Sequence, residues 1–278
     1  MPPSFLRDCG LLRVGSVMRI VMNTPQILRH LERDVLGNIV LLKHITAFPD
    51  DTNAYLLESE RGTATLVLVN ARAGDYDRKT YPEAAYVVLM RSDEPTLTRA
   101  LLTRIPQGHS IVFKLASDAA RDIVSEAYTI ERRTSILSFT WEPAAFPRDD
   151  QVAIGKTAPD AAFELFGTQD HSRQWLEPLL RTDRAFTCVL QAGGEPLSVC
   201  FAFENYGRVW EIGGLVTSPS RRGLGLGSRV VRAALAELAR RGRSARYQVG
   251  EDNRPSLGLA RSIGMRHFLI LTYYVHFA

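Results

Sequence analysis

The 278-residue chain has only three cysteines, Cys9, Cys188 and Cys200, and no Cys-x-x-Cys pair. That spacing argues against a disulfide framework or a cysteine zinc site and fits a reducing, cytoplasmic setting. Long apolar runs are also missing. The longest, Phe268 to Val275, is interrupted by Thr272, Tyr273 and Tyr274, so it reads as a strand, well short of the roughly 18 to 20 residues that span a bilayer. No His/Asp/Glu cluster has metal-ligand spacing, and no metal is expected. Arg7, Asp8 and Arg13 break up the start of the chain, which lacks a signal-peptide core. Residues 1–20 therefore read as a poorly ordered leader, with Met18 and Met22 as alternative starts to Met1. Negative charge is scarce in one place: eight arginines lie between Ser220 and Arg246 against the single acidic residue Glu237.

What is present describes an ordinary globular chain, 45% hydrophobic and 23% charged, with a net charge of +4. Its length exceeds the roughly 100 to 200 residues of one domain, so two are expected. The stretch Trp141 to Asp150, with Pro143 and Pro147, is the linker candidate, giving domains 21–142 and 143–278. In the first, helix Thr24–Asp34 starts with a Thr-Pro pair of cap and first-turn types. Strands 54–58 and 65–70 flank a turn at Ser59 to Gly62, and a third strand covers 85–90. Helix 93–105, strand 110–115, helix 117–127 and strand 134–141 follow. The second domain repeats that order: helices 158–166 and 172–180, strands 185–191, 197–203 and 209–216, helix 228–241, strand 245–250, helix 255–263 and strand 266–277. The expected fold class is α/β (α+β mixed sheet), with the two halves as copies of one fold.

After the strand 209–216 the chain reads Leu215-Val216-Thr217-Ser218-Pro219-Ser220-Arg221-Arg222-Gly223-Leu224-Gly225-Leu226-Gly227-Ser228 and enters the arginine-rich helix. Alternate glycines let backbone N–H groups turn inward beside a helix N-terminus, which together make an anion site suited to a pyrophosphate. The run has neither the G-x-G-x-x-G of dinucleotide folds nor the Gly-Lys-Ser/Thr of P-loops. It does contain Arg-x-x-Gly-x-Gly, at Arg222, Gly225 and Gly227. Downstream, Asn253-x-x-Ser256-x-x-Leu259 ends in Ile263-Gly264-Met265.

On these two motifs the second half resembles the GNAT superfamily of N-acetyltransferases. The Val-Thr-x-Pro and Asn-x-x-Ser variants look closest to its glycine N-acyltransferase-like branch. The resemblance implies an acyl-CoA N-acyltransferase that moves an acyl group, acetyl by default, onto the amine of a small molecule or amino acid. It implies that acetyl-CoA is held by Leu215, Val216, Thr217, Arg221, Arg222, Gly223, Leu224, Gly225, Leu226, Gly227, Ser228, Asn253 and Ser256, with the N–H groups around Leu215 and Val216 polarising the thioester carbonyl. Glu211 lies 11 residues before Arg222, where many members carry a general base, and strand alternation puts it on the face of Gly213 and Leu215. Members often carry an acidic tyrosine seven residues after the motif asparagine, but here that residue is Ala260. Either Ser256, a water, or a tyrosine such as Tyr247, Tyr273 or Tyr274 then supplies the proton to the leaving thiolate, or none is needed because a thiolate is a tolerable leaving group. His267 and His276 read as strand residues.

At the matching junction the first half reads Arg91-Ser92-Asp93-Glu94-Pro95-Thr96, with two carboxylates and no glycine. That composition would repel a pyrophosphate, so the first half is expected to be a degenerate copy that shapes the acceptor pocket. Two other readings fit the same residues: a CoA-binding sensor without turnover, and a nucleic-acid surface along the arginine helix, although no aromatic residues interleave the arginines. No membrane partner is expected.

Overall fold

The computed structural model of the protein describes residues 18–142 and 146–278. Most of the expected leader, Cys9 and part of the expected linker lie outside these residues. Arg19 and Ile20, counted with the leader, belong to a short strand.

In chain order the elements are β1 (Arg19–Val21), α1 (Thr24–Leu31), α2 (Ile39–Ala47), β2 (Thr52–Ser59), β3 (Gly62–Asn70), α3 (Asp75–Thr80), β4 (Tyr86–Ser92), α4 (Pro95–Leu102), β5 (Ile111–Leu115), α5 (Asp118–Ala127) and β6 (Glu131–Thr140). The second half supplies β7 (Val152–Gly155), α6 (Asp160–Gly167), α7 (Arg173–Arg181), β8 (Ala185–Ala192), β9 (Glu195–Tyr206), β10 (Val209–Thr217), α8 (Leu226–Arg240), β11 (Ser244–Gly250), α9 (Arg254–Ile263) and β12 (Arg266–His276). Local chemistry sets most helix starts. Asn23, rather than Thr24, caps α1 by accepting from the Gln26 N–H at 3.1 Å. Ser117, Ser172 and Asn253 do the same for α5, α7 and α9.

All twelve strands form one sheet in the order β1-β2-β3-β4-β5-β12-β6-β11-β10-β9-β8-β7. Read from either edge, five strands of one half are followed by the last strand of the other. β12 pairs with β5 through Thr272–His276, and β6 pairs with β11 through Leu137–Phe139 and their neighbours. The halves therefore exchange their final strands, and β6 and β12 pair with each other along the centre. This is an α/β mixed sheet built twice over.

Helices cover both faces. α1 and α2 bury Ile27, Leu31, Ile39, Leu42 and Ile45 on one face of the first half, and α6 and α7 bury Phe166, Leu176 and Leu180 on the same face of the second. α4 and α5 pack on the opposite face, as do α8 and α9. α2 reaches across the halves: Lys43 lies 5.6 Å from the centre of the Phe203 ring on β9. None of the described helices is long and apolar enough to cross a membrane.

Candidate functional site

The glycine loop and the start of α9, some thirty residues apart in sequence, meet around one cavity of about 470 Å³. Its lining includes Leu215, Val216, Thr217, Arg221, Arg222, Gly223, Gly225, Leu226, Gly227, Ser228, Asn253 and Ser256. Only Leu224 of the expected cofactor residues points away, 63% exposed. Gly223 and Gly225 have φ of +78° and +72°, and a side chain at either would meet only open space. They are needed for backbone shape. Gly225 stands at the N-cap of α8, and no side chain caps that helix, so its first N–H groups remain available to an anion. At Gly227 a Cβ would make only ordinary van der Waals contact with Leu259, Thr217 and Leu215.

β10 opens beside this cavity. It pairs in parallel with β11 only from Val209–Ser244 to Ile212–Tyr247, although both strands continue. On its other side the register with β9 slips between Gly213 and Val216, a bulge of the kind that re-aims backbone groups. Gly214 has φ of +59°, and a Cβ there would overlap the Phe201 ring. Past Ile212 neither Leu215 nor Val216 pairs with β11, and both residues line the cavity.

Glu211 sits on β10 just before the opening. Its carboxylate accepts from Asn205 Nδ2 at 2.6 Å and from Arg246 Nη1 at 2.9 Å. With the Gln248 amide turned to suit its neighbours, Gln248 donates to the second oxygen at 3.2 Å. The Arg246 side chain is 2% exposed and that of Glu211 14%. The pair is thus a sealed ion pair, in which losing one charge typically costs about 3 to 5 kcal/mol. Asn205 Oδ1 is buried without a partner among the described residues, an acceptor that awaits a donor. Phe203 stands opposite Glu211 in the β9–β10 ladder, and Trp175, 42% exposed, is edge-on to Phe203.

Ser256 lines the cavity, with the buried Tyr247 phenol facing it; desolvation raises that phenol while the Ser256 contact lowers it. Tyr273 and Tyr274 are elsewhere: Tyr273 packs over the Lys114 ammonium in the first half, and Tyr274 joins the α4–α5 cluster. Neither of these two lines the glycine-loop cavity. Glu204 pairs with Arg184. His267 and His276 lie on β12, packed against Phe139 and Tyr128.

The arginine stripe is largely engaged within the protein. Arg229 grips Asp149 through two nitrogens, Arg240 and Arg241 share Glu237, and Arg246 holds Glu211. Arg232 and Arg243 lie over Phe146 and Trp210. Arg221 and Arg222 remain at the cavity.

The first half closes the corresponding features. β4 and β5 stay paired from Tyr86–Ile111 to Met90–Leu115, and β4 keeps its register with β3 without a slip. At the N-terminus of α4 the Glu94 carboxylate accepts from the N–H groups of Thr96 and Leu97 at 3.2 and 3.1 Å. A side-chain anion occupies the place an external one would need. Desolvation acts to raise the Glu94 pKa, but these N–H donors hold it below the usual range.

One residue of this region had no signal in the sequence. His171, between α6 and α7, packs edge-on against Phe201 at 5.0 Å; it belongs to no spaced motif, and only the fold brings it near Glu211.

An open parallel pair, a bulge and an uncapped glycine-led helix thus meet at one cavity on an α/β sheet, an arrangement suited to an anion. The Acetyltransferase (GNAT) family matches residues 152–265. The chain therefore carries a GNAT acetyltransferase domain in its second half. Solved structures extend the likeness in fold to nearly the whole chain. A GCN5-related N-acetyltransferase from Sphaerobacter thermophilus is 13% identical, covers 94% of this chain and 95% of its own, and superposes with a TM-score of 0.60. A GNAT-family acetyltransferase from Colwellia psychrerythraea is 10% identical over 94% and 99% of the chains, with a TM-score of 0.58. A tandem GNAT protein from the clavulanic acid biosynthesis pathway is 13% identical over 93% and 98%, with a TM-score of 0.51. No curated protein matches the sequence.

Proposed function

We propose that the protein transfers an acyl group, acetyl by default, from acyl-CoA to the amine of a small molecule or amino acid, at one site in its second half. The contrast between its two halves carries this reading. α8 begins uncapped at Gly225 beside an opened strand pair, whereas α4 begins capped by Glu94 beside a closed one. On this reading residues 21–142 are a degenerate copy without a cofactor site, and residues 143–278 carry the chemistry.

The loop amides from Gly223 to Ser228 would hold the pyrophosphate, with Arg221 and Arg222 adding charge. The N–H groups at Leu215 and Val216 would stabilise the oxyanion that develops on the thioester carbonyl. Ser256, which lines the cavity and is backed by Tyr247, would donate to the leaving sulfur, taking the role of the tyrosine that Ala260 replaces. Asn205 Oδ1, buried without a partner among the described residues, would accept from the acceptor amine. Glu211 supplies the negative charge that favours an amine there. Lys43, which makes no ion pair among the described residues and stands over Phe203, favours an acceptor with a carboxylate of its own, such as an amino acid.

Thermal unfolding with and without acetyl-CoA tests the reading, because a ligand at a hundredfold excess over Kd stabilises by about 2.7 kcal/mol. A rise in Tm that Gly225→Asp abolishes, followed by amine-dependent CoA release, is expected. No rise with acetyl-CoA or longer acyl-CoAs would make the loop structural, and binding without CoA release from any amine would favour a sensor.

A further inference from the structure

We infer that the imidazole of His171 takes the proton from the acceptor amine, with Glu211 acting as a fixed charge beside it. The inference rests on the acyltransferase reading above and concerns which group in that site is the base.

Glu211 is poorly placed to take a proton. Both of its oxygens are engaged, by Asn205, Arg246 and Gln248. Neutralising it would leave the sealed Arg246 guanidinium without its counter-charge. His171 has the complementary properties. It follows Asp170, whose φ of +60° turns the α6–α7 loop inward. Its ring stands perpendicular to Phe201 at 5.0 Å and 6.1 Å from Trp175. Phe201 is the ring that forbids a side chain at Gly214, so this one phenyl touches both the bulge and the imidazole. Gln169, two residues before His171, lines the glycine-loop cavity. His171 therefore lies beside Phe201, two residues from the cavity-lining Gln169 and within the field of Glu211, and neither ring nitrogen has a hydrogen-bond partner among the described residues.

The charged groups that act on it are Glu211 from β10 and Asp170 from its own loop. Burial lowers its pKa from 6.5 more than these carboxylates raise it. At neutral pH the ring is uncharged, with a free lone pair. The step balances: the amine nitrogen bonds to the thioester carbon, the carbon–sulfur bond breaks, and its electron pair leaves with sulfur. The surplus N–H proton moves to His171, and the imidazolium so formed lies in the field of Glu211 until it releases that proton to solvent.

Two measurements on the full chain test this. In a 15N-histidine NMR titration, His171 should titrate below pH 6.5, and Glu211→Gln should lower it further. The double variant Glu211→Gln/Arg246→Met serves if the single one fails to fold. Titration at or above pH 6.5, or indifference to removing the Glu211 charge, overturns the assignment. CoA release is then followed against pH, with acetyl-CoA and a panel of amino acids and simple primary amines. His171→Gln should lower kcat/KM about 100-fold and abolish the acid limb, with the acetyl-CoA thermal shift intact. A variant that keeps both the limb and the rate within threefold overturns the base and leaves the transferase reading standing. A wild-type chain that binds acetyl-CoA yet acylates nothing overturns both.

Discussion

Glu211 and Arg246 face one another across the parallel pair β10 and β11, 2.9 Å apart, at the last rungs before the strands part. A charged pair so placed fixes the mouth of the opening. The guanidinium also donates toward Ser138 on β6, the strand contributed by the other half, so one side chain ties three strands and both halves together.

Removing the carboxylate should therefore cost more than removing the pair. Glu211→Ala strands a buried guanidinium, and a loss of about 3 kcal/mol is expected. Glu211→Gln/Arg246→Met should lose less, because no unpaired charge remains. Urea unfolding of the three proteins decides the point: a double variant less stable than Glu211→Ala would show that the charges are not what matters.

Gly214 offers a separate test of the bulge. Its φ of +59° and the overlap of an added Cβ with Phe201 both oppose a side chain. Backbone strain alone is worth on the order of 1 to 3 kcal/mol. Gly214→Ala should lower Tm and, by moving Phe201, weaken the acetyl-CoA thermal shift. Gly213→Ala should be milder, since its Cβ would stand 3.2 Å from Phe201 with no left-handed backbone to strain. Equal effects at the two positions would mean the bulge is not held by that ring.

What could be read ahead of the structure was local. Glycine spacing and the Asn253-x-x-Ser256 motif act within a few positions of themselves, and the loop and α9 start that they marked do meet at one cavity. α2 escaped notice because Ile39, Val40, Leu41 and Leu42 are all buried, which leaves no helical period to detect. β1 and β7 are only three and four residues long. The strand exchange, the Arg246 partner of Glu211 and the position of His171 depend on register between distant strands. No sequence window contains that information.

The exchange predicts that the halves do not separate. Residues 146–278 alone would leave β11 and β12 without β6, their shared neighbour, and an unpaired edge invites association. This fragment should show no cooperative thermal transition and no acetyl-CoA shift, and adding residues 18–142 in trans should restore both. A monomeric, acetyl-CoA-binding fragment would show that β12 folds back to close its own half.

Lys43 bears on the acceptor. Its ammonium comes from α2 of the first half and lies over Phe203 in the second. If it receives a carboxylate, Lys43→Ala should raise KM for amino acids about tenfold or more, in line with the roughly 1.5 to 3 kcal/mol of a charged hydrogen bond, and leave KM for the matching decarboxylated amines unchanged. Equal changes for both series would assign Lys43 to packing.

His44, the next residue on α2, should make stability depend on pH. Nδ1 donates to the Val40 carbonyl at 2.7 Å. Although the ring keeps some exposed surface, desolvation, reinforced by the nearby charges of Lys114, Lys43 and Arg246, pushes its pKa down to about 3 from 6.5. The folded protein then binds fewer protons than the unfolded chain at any pH between those values. Its contribution is complete above about pH 6.5 and is lost as the pH falls toward 3, at up to about 1.4 kcal/mol per unit. Between pH 7.5 and 5 that is a loss of up to about 2 kcal/mol. His44→Gln should flatten the slope without abolishing it, because burial also lowers the pKa of His30 and His171. Urea unfolding of both proteins at the two pH values measures the difference, and a gap between them that does not change with pH would mean that His44 is not held neutral by its surroundings.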